Sequence, residues 1–523
     1  MRITNNMMIK NTSININGNK INVDTLNNQM TSQKKIQRPS ENPVIAIRAL
    51  RLRSSLSEID QYYENNIPDA ESWLDVTQTA MLNIEKVVKD IRTQCVYGAT
   101  DSLKEDDRSA ILTQLTKLRD QIYSEGNTDY AGRTVFTGYR TNKKLTFMED
   151  EANTSYHVTQ KFSYTDLQEY RYYSGNVTLP TTVAEVAGNA IPNPQMAVFE
   201  RIRLSYDSID SITDKDGKVL DGTTGNIEGV LTYTDPAGVA GEIKVEVYDT
   251  YDAWVQASGG TPAIPETGTD KAAVFIKESG ELVLGDAAAA ELRGKKANLN
   301  IDYDKTGFGK GELRPEYYYD CIDNTVAGAP VEFFKFDPAT GEEIYQDINY
   351  VVSANQTLTV NTQGSAVFDA ALGRDVDELI DAVQHATEAN KKVGDIEAML
   401  KMEEYASDES QEKLQEWLEA AKKERDYAND HMQKLYNSYI GNCDKYLQKI
   451  NLALTDLGSK GVSLDLTKNR MSNQQTTMET LMSTNEDRNL SDIIIDYTSA
   501  YTSYQAALQA GAKINQNTLL NYL

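Results

Sequence analysis

Metal or nucleophilic chemistry in this 523-residue chain would have to be built from three histidines and three cysteines, and their positions argue against it. An HExxH site needs two histidines one helical turn apart, whereas His157, His385 and His431 stand far from one another. Cys95, Cys321 and Cys443 offer neither zinc-ligand spacing nor an even-numbered disulfide framework, so buried free thiols are expected. No G-x-S-x-G turn is present to present a serine to a histidine. The stretch "DYDKTGFGKGEL" sets Asp302, Asp304, Thr306 and Gly307 where a calcium loop wants ligands and a turn glycine. Its twelfth position is Leu313 instead of a bidentate glutamate, and a strand-like run precedes it, so it reads as a glycine-rich hairpin. "TDKDGK", around Asp214 and Asp216, reads as a hairpin turn, and Gly309-Lys310-Gly311 fails the phosphate-loop pattern. The expectation is a protein with no catalytic residue, no metal site and no cofactor.

Charge narrows the partners. A formal net charge of -26 repels phosphates instead of neutralising them, which excludes nucleic acid and an anionic membrane surface as natural partners. The length favours more than one compact unit. The first residues, "MRITNNMMIKNTSININGNK", lack an apolar run followed by a small-residue cleavage site. No segment reaches roughly 18 uninterrupted apolar residues, so the chain is expected to be cytosolic or exported by another route.

From residue 45 apolar side chains recur in steps of four and three: Leu52, Leu56, Ile59 and Tyr63, then Ala70, Leu74, Thr77, Met81, Ile84, Val88, Ile91 and Cys95. That spacing predicts a long helix with one face buried against partner helices. Pro68, which lacks an N–H and crowds the carbonyl four residues back, predicts a kink or break. Ile111, Leu115, Leu118 and Ile122 predict a second helix that makes a hairpin with the first. Near residue 140 the composition changes to Thr, Tyr, Val, Gly and Asp. "GEIKVEVYD", "ANLNIDY", "VEFFKFD" and "QTLTVNT" then read as strands of an antiparallel, half-solvated sheet, until about residue 372. From Val376 the helical pattern returns and runs through Leu414, Leu418, Ala428, Met432, Leu435, Tyr439, Tyr446, Ala453 and Leu457 to Leu464, Met471 and Met478. The middle is thus an insertion between two helical arms that must pair.

Both ends carry apolar stripes. At the C-terminus Leu490, Tyr497, Tyr504 and Gly511 fall seven apart, as do Ile493, Ala500, Ala507 and Ile514, with Ile494, Tyr501 and Leu508 widening the stripe of a helix expected from Leu490 to Asn521. At the N-terminus Ile3, Met7, Ile14 and Ile21 give a sparser stripe, and its expected mate is the C-terminal helix; Gly18 and neighbouring asparagines weaken the helix there. Such faces at the ends of a chain call for other subunits to cover them. Lys513 is the one cation of the C-terminal helix and no tryptophan accompanies it, which is poor chemistry for a membrane surface.

Four stretches carry a family resemblance: "TSQKKIQRPSENPVIAIRALRLRSSL", "NNIPDAESWLDVTQTAM", "GNTDYAGRTVFTGYRT" and "AALQAGAKINQNTLLNYL". Together they resemble the flagellin superfamily, over residues 1 to about 140 and about 375 to 523. The Pro39-Ser40-Glu41-Asn42-Pro43 loop, Ser72-Trp73-Leu74 and the ending Leu519-Leu520-Asn521-Tyr522-Leu523 fit the branch that joins hook to filament better than flagellin proper. The resemblance implies a mainly α fold with an inserted β-rich domain, arranged in flagellin-like nested layers. Residues 1–38 with 483–523 would form a terminal coiled-coil unit, 39–140 with 375–482 a helical bundle, and 141–374 a variable outer β-rich domain. It implies a non-enzymatic, extracellular subunit that serves as the platform for flagellin, exported unfolded through the type III channel of the flagellum without a cleaved signal peptide. The implied partners are further copies of itself in a ring, the preceding hook-associated junction protein, flagellin and a cytoplasmic export chaperone. Subunit packing is expected of Ile3, Met7, Ile14, Leu490, Ile493, Ile494, Tyr497, Tyr501, Tyr504, Leu508, Ile514, Leu519 and Leu520. Without neighbours these ends are expected to be disordered. The alternatives are a flagellin-like filament subunit and, from another class, an adhesin or enzyme carried by the insertion.

Overall fold

The computed structural model describes residues 5–100, 105–221, 227–264 and 271–516. Ile3, Leu519 and Leu520 lie outside them. The helices, in chain order, are α1 Asn5–Ser32, α2 Pro43–Asp60, α3 Ile67–Gly98, α4 Glu105–Gly126, α5 Val183–Gly188, α6 Tyr251–Ala257, α7 Asp286–Lys295, α8 Gly364–Val367, α9 Ala371–Met399, α10 Asp408–Glu486 and α11 Leu490–Gln516. Contacts divide the chain into two compact units, one of Met1–Ser72, Asn349–Leu358 and Lys460–Leu523, the other of Trp73–Ile348 and Thr359–Ser459.

In the first unit the proline-flanked loop ends as a helix start. Asn42 is extended and its Oδ1 accepts from the N–H groups of Val44 and Ile45 at 3.2 and 3.3 Å, while Pro43 occupies a first-turn position that needs no donor. Of the kink or break expected at Pro68, there is no break. The chain instead winds Gln61–Asn66 as a π-helix, and the Ile67 N–H bonds to the Tyr62 carbonyl five residues back. Widening the turn just before proline accommodates the missing donor and the bulky ring, and helix continues on both sides. A hairpin of strands Asn349–Ser353 and Gln356–Thr359 braces the widened turn. Asn66 Nδ2 donates to the Val351 carbonyl at 2.8 Å, and the Tyr350 hydroxyl donates to Asp69.

The second unit holds the inserted sheet and the helices that carry it. The residues predicted to face inward on α3, Leu74, Thr77, Met81, Ile84, Val88, Ile91 and Cys95, are all buried, as is Ala70 in the part of α3 that belongs to the first unit. So are Ile111, Leu115, Leu118 and Ile122 of α4, which packs on α9. Two motif stretches meet within this unit. Strands β1 Asp129–Tyr130 and β2 Arg133–Thr134 are joined by Ala131 and Gly132 at φ 51° and 78°, a left-handed pair that makes the tightest hairpin turn. The turn sets the Arg133 guanidinium 4.9 Å from the ring of the fully buried Trp73, with Tyr130 edge-on to the same ring at 5.9 Å.

The remaining strands of this unit are β3 Glu151–Ser163, β4 Gln168–Ser174, β5 Gln195–Arg203, β6 Ser211–Thr213, β7 Val219–Leu220, β8 Ile227–Thr234, β9 Ala240–Tyr248, β10 Ala272–Ile276, β11 Glu281–Leu284, β12 Asn298–Phe308, β13 Asp320–Asp323 and β14 Val331–Phe333. They form one sheet in the order β14-β13-β3-β12-β8-β9-β10-β11-β5-β4, with β6 attached to β12 and β7 to β6. β9 shows the alternation that marks such strands: Ile243, Val245 and Val247 are buried and the residues between them are not. The expected antiparallel arrangement fails once, because β10 runs parallel to β9; the crossover between them carries α6. The aspartates of the calcium-like stretch lie within β12 and pair across strands. Asp302 accepts from Thr159 at 2.6 Å, and Asp304 meets His157 Nδ1 at 2.8 Å and the Ser211 hydroxyl at 3.1 Å. Asp214 closes the β6–β7 turn by accepting from the Asp216 and Lys218 amides at 2.9 and 2.8 Å.

Buried charge joins sheet to helices. Arg201 and Arg203, two apart on β5, project from one face. Arg201 pairs with Glu281 of the neighbouring β11 at 2.5 Å and with Glu378 of α9 at 2.6 Å, beneath the ring of Tyr170 at 3.6 Å. Arg203 reaches Glu378 at 2.5 Å and also Asp375, one turn earlier on α9. Tyr439 and Tyr446 of α10 donate to Glu378 and Asp375, and Tyr172 donates to Glu281. Arg374 completes the set by donating to the Leu204, Tyr206 and Ser279 carbonyls at 2.5 to 2.9 Å. Burial alone would push the Glu378 carboxyl up, but the two arginines outweigh it and hold it well below the usual carboxylate range. His431, buried on α10 beside Tyr170 and Tyr173, is pulled down to about 4 by desolvation, with Arg201, His385 and Arg171 acting in the same sense and Glu378 against it.

Replacing Glu378 by Ala takes from Arg201 and Arg203 the carboxylate they share, leaves each with one acidic partner and the cluster with an uncompensated buried charge, and is expected to destabilise this unit by about 3–5 kcal/mol in denaturant unfolding. Loss of the exposed Glu85–Lys89 pair should leave the midpoint unchanged. For His431 the folded value of about 4 lies below the ordinary 6.5, so between these pH values the unfolded chain binds a proton that the folded chain does not. Stability must therefore fall as pH drops from 6.5 toward 4, by about 3 kcal/mol in all. Unfolding series at pH 7 and pH 4.5 should show a smaller acid loss in His431→Gln than in the parent; an equal loss would mean that His431 is not the group responsible.

Candidate assembly surface

α1 and α11 lie against each other as an antiparallel pair, joined through the bend between α10 and α11. Glu486, the last residue of α10, is the hub of that bend. Its carboxylate takes a two-pronged contact from Arg53 of α2, at 3.0 and 2.5 Å, and faces Lys34 at 3.6 Å. Main-chain bonds cross between the segments: the Lys35 N–H donates to the Glu486 carbonyl at 2.7 Å, and the Arg488 N–H to the Gln33 carbonyl at 2.9 Å. Lys34 pairs with Asp487 at 2.5 Å, and Arg488 reaches Gln29 at 2.6 Å. The carboxylate of Asp487 is lowered by its hydrogen bond to Lys34 and raises that ammonium in turn. None of these residues was singled out from sequence. The signal that could have found them is the charged run Lys34–Lys35 facing Glu486–Asp487–Arg488 once the two ends are known to pair.

On α11 the less exposed positions are Ile493, Tyr497, Ala500, Tyr504, Ala507, Gly511 and Ile514, in alternating steps of four and three. The matching row on α1 is Ile9, Thr12, Ile16, Asn19, Val23 and Leu26. A side chain on Gly511 would come within 3.0 Å of Ile16 and 3.2 Å of Thr12, so glycine there lets the two helices approach closely. The predicted N-terminal stripe requires correction. Met7, Ile14 and Ile21 are also seven apart, but each sits two residues before Ile9, Ile16 and Val23, about 200° around a helix, and so faces away from α11. Ile14 is 63% exposed and Ile21 59%. Among the described residues α1 is helical through Gly18 and its asparagines, where packing on α11 overrides weak intrinsic propensity.

The predicted C-terminal residues divide into two sets. Ile493 is fully buried, and Tyr497, Tyr504 and Ile514 are half-covered in the seam. Leu490, Ile494, Tyr501 and Leu508 are exposed, with Ile495 beside them; Ile494 is 47% exposed and Leu508 42%. Tyr501 stacks on Tyr497 with ring centres 6.0 Å apart, linking the exposed row to the seam. A shallow groove lined by Ile494, Ile495, Thr498, Ser499, Thr502 and Ser503 runs along the uncovered side. It offers apolar contact and hydroxyl groups, with no charged side chain among its walls.

Residues 3–141 match the bacterial flagellin N-terminal helical region. The chain is 26% identical over 202 residues to flagellar hook-associated protein 3 of Salmonella typhimurium, covering 38% of this chain and 62% of that protein. It is 28% identical over 114 residues to flagellar hook-associated protein 3 of Escherichia coli, covering 22% of this chain and 36% of that one. The chain is similar to flagellar hook-associated protein 3. The aligned part spans less than two thirds of the length of either relative. Among solved structures, FlgL of Xanthomonas campestris superposes over 83% of this chain and 99% of its own, at 9% identity and a TM-score of 0.30. Among the described residues no helix is long and apolar enough to cross a membrane, and no group of His, Cys, Asp and Glu is placed to hold a metal ion.

Removing the hub carboxylate tests the bend. Glu486→Ala leaves Arg53 and Lys34 without their shared partner. Amide hydrogen exchange should then accelerate at least tenfold through Ile9–Leu26 and Ile493–Ile514, which corresponds to a loss of about 1.4 kcal/mol. Exchange in β9 and β12 should be unchanged.

Proposed function

We propose that this protein is a structural, non-enzymatic subunit of the bacterial flagellum that joins hook to filament and forms the platform on which flagellin assembles. The observation that carries the proposal is the uncovered apolar row Leu490, Ile494, Tyr501 and Leu508 on a helix pair already closed along its other side. Exposed apolar side chains in one row are what a repeating contact with identical neighbours requires, and a ring of copies supplies it. Similarity to two proteins named flagellar hook-associated protein 3 supplies the biological setting.

On this proposal the α1–α11 pair belongs to an inner coiled-coil layer, residues 39–140 with 375–482 form a helical bundle around it, and 141–374 form the outer domain. Met7 and Ile14, exposed on α1, join Leu490, Ile494, Tyr501 and Leu508 in contacts between copies, while Ile493, Tyr497, Tyr504 and Ile514 hold the pair together within one copy. Ile3, Leu519 and Leu520, which lie outside the described residues, belong on this proposal to the residues that pack between copies. The preceding hook-associated junction protein lies on one side of the ring and flagellin on the other. A cytoplasmic chaperone covers the C-terminal stripe before export through the flagellar type III channel, and the mature site is extracellular.

Ile494→Asp with Leu508→Asp places two charges in the contact between copies, at a cost of several kcal/mol per subunit in the assembly. The melting curve of the purified monomer should be unchanged, and cells carrying the variant should make hooks without filaments. Secreted protein must be measured alongside, because a chaperone gripping the same row would also feel the charges. Normal secretion with full-length filaments would overturn the assembly role. Deletion of the gene separates a junction subunit, whose loss leaves bare hooks and flagellin in the medium, from a filament subunit, whose loss leaves capped junctions.

A further inference from the structure

The core-facing row of β12 runs Leu299, Ile301, Tyr303 and then Lys305, a lysine where the alternation calls for an apolar side chain. Lys305 is only 2% exposed. Its ammonium makes one close hydrogen bond, to the Asp207 carbonyl at 2.8 Å, while the Asp207 and Glu312 carboxylates stand back at 3.6 and 3.5 Å, beyond ordinary hydrogen-bond length. Glu312 spends its other oxygen on the Gly309 N–H at 2.6 Å. Burial pushes the Glu312 carboxyl up, with Lys305 and the Gly309 N–H acting against it. Two ammonium hydrogens and one carboxylate oxygen are thus left with long contacts only.

Both side chains line a cavity of about 890 Å³, walled by the second half of α4, residues 145–148, the 205–208 turn, the turn after β12 and the start of α9. That volume suits a small molecule. The glycines of "GFGKGEL" shape it. A Cβ on Gly311, at φ 94°, would stand 2.6 Å from the ring of Tyr123, and one on Gly373 would stand 2.8 Å from its hydroxyl, so two glycines admit that ring as a wall. Ser208, in the 205–208 turn, has φ 49°, a strained value for a residue with a side chain and of a kind that gathers at ligand sites. Of the four cations that line the cavity, Lys310 is exposed, Arg119 pairs with Asp377 at 2.7 Å, Arg374 donates to three carbonyls and Lys305 lies between two acids. Five acidic side chains balance them, so the wall holds no large excess of either charge.

We propose that this cavity binds a neutral, hydroxyl-rich small molecule, a mono- or disaccharide in class, with Lys305 and Glu312 holding one of its hydroxyls. A hydroxyl accepts and donates through one atom, so it takes a hydrogen from the ammonium and gives its own to the carboxylate. A ligand carboxylate at the same place would meet two acids, and a ligand ammonium would meet Lys305. Sugar rings carry such hydroxyls beside apolar C–H faces, for which Tyr123, Phe147 and Tyr206 supply aromatic wall. The cavity lies wholly within the second unit, and the proposal is independent of the assembly surface on α11.

The test is saturation-transfer NMR on the full-length protein with glucose, galactose, mannose, N-acetylglucosamine, maltose and lactose as probes, and with glucuronic acid and free lysine as charged controls. Transfer to at least one neutral sugar, and to neither control, is the expected result. Glu312→Gln and Lys305→Met should each weaken that sugar at least tenfold, as loss of a hydrogen bond to a charged group does. Transfer to a charged control, no transfer to any neutral sugar, or unchanged affinity in both variants would overturn the proposal. Where a variant fails to fold, amide hydrogen exchange of the parent decides. With the sugar bound, exchange should slow through residues 145–148 and 305–313 and stay the same in β9; slowing confined to other segments would place the sugar elsewhere and overturn the site.

Discussion

The position of the inserted sheet depends on burying charge. Arg201 and Arg203 on β5 face Asp375 and Glu378 on α9 and Glu281 on β11, and three tyrosines from β4 and α10 donate to these carboxylates. Desolvating these ions is costly, and the cost is offset only when each fork finds its carboxylate and each remaining lone pair its donor. A greasy contact of the same area would tolerate sliding of the strand along the helix; this one does not, because displacement by one residue would leave full charges unpaired in a dry interior. Arginine suits the task better than lysine, since each planar fork engages two acceptors at once. Arg374 adds a third, half-buried cation that donates to the Leu204, Tyr206 and Ser279 carbonyls, tying those loops to the same helix.

The α1–α11 pair follows the opposite principle. Its seam includes Thr12, Asn19 and Gly511, small or polar where a stable two-helix coil would place leucine or isoleucine. Two helices so joined bury only one narrow face each, and isolated helices derive most of their stability from packing. The pair is therefore fixed at one end, by Glu486 and its cations, and weakly apolar along the rest. Elements drawn from the low-stability end of a fold are those able to gain most from a new neighbour.

Much of this architecture was legible in the sequence where one local rule acted alone. The steps of four and three from Ala70 to Cys95 named eight buried positions of α3 correctly, and the alternation in "GEIKVEVYD" gave β9. Legibility failed where two rules competed. Pro68 forbids an ordinary helical turn, yet the surrounding apolar spacing demands a helix, and the π-turn that satisfies both is invisible to either rule. Met7–Ile14–Ile21 and Ile9–Ile16–Val23 are equally good heptads; only the partner decides between them. The ion network was hidden for a different reason. Arg201 and Glu378 are 177 residues apart, and no periodicity relates a strand position to a helix position across such a separation.

The motif residues that carry the family resemblance do structural work at the places where they recur. Asn42 and Pro43 start α2, Trp73 receives Arg133 and Tyr130 from the β1–β2 turn, and Gly511 sets the spacing of the terminal helices. None supplies an acid, a base or a ligand. Signatures that specify caps, turns and close approaches supply shape, which is what the proposed contact between copies requires. The two rows on α11 express that requirement on one helix. The row one position ahead of the seam, Ile494, Tyr501 and Leu508 against Ile493, Ala500 and Ala507, is rotated by only about 100°, so whatever covers it must sit beside α1 and continue the same side-by-side packing outward.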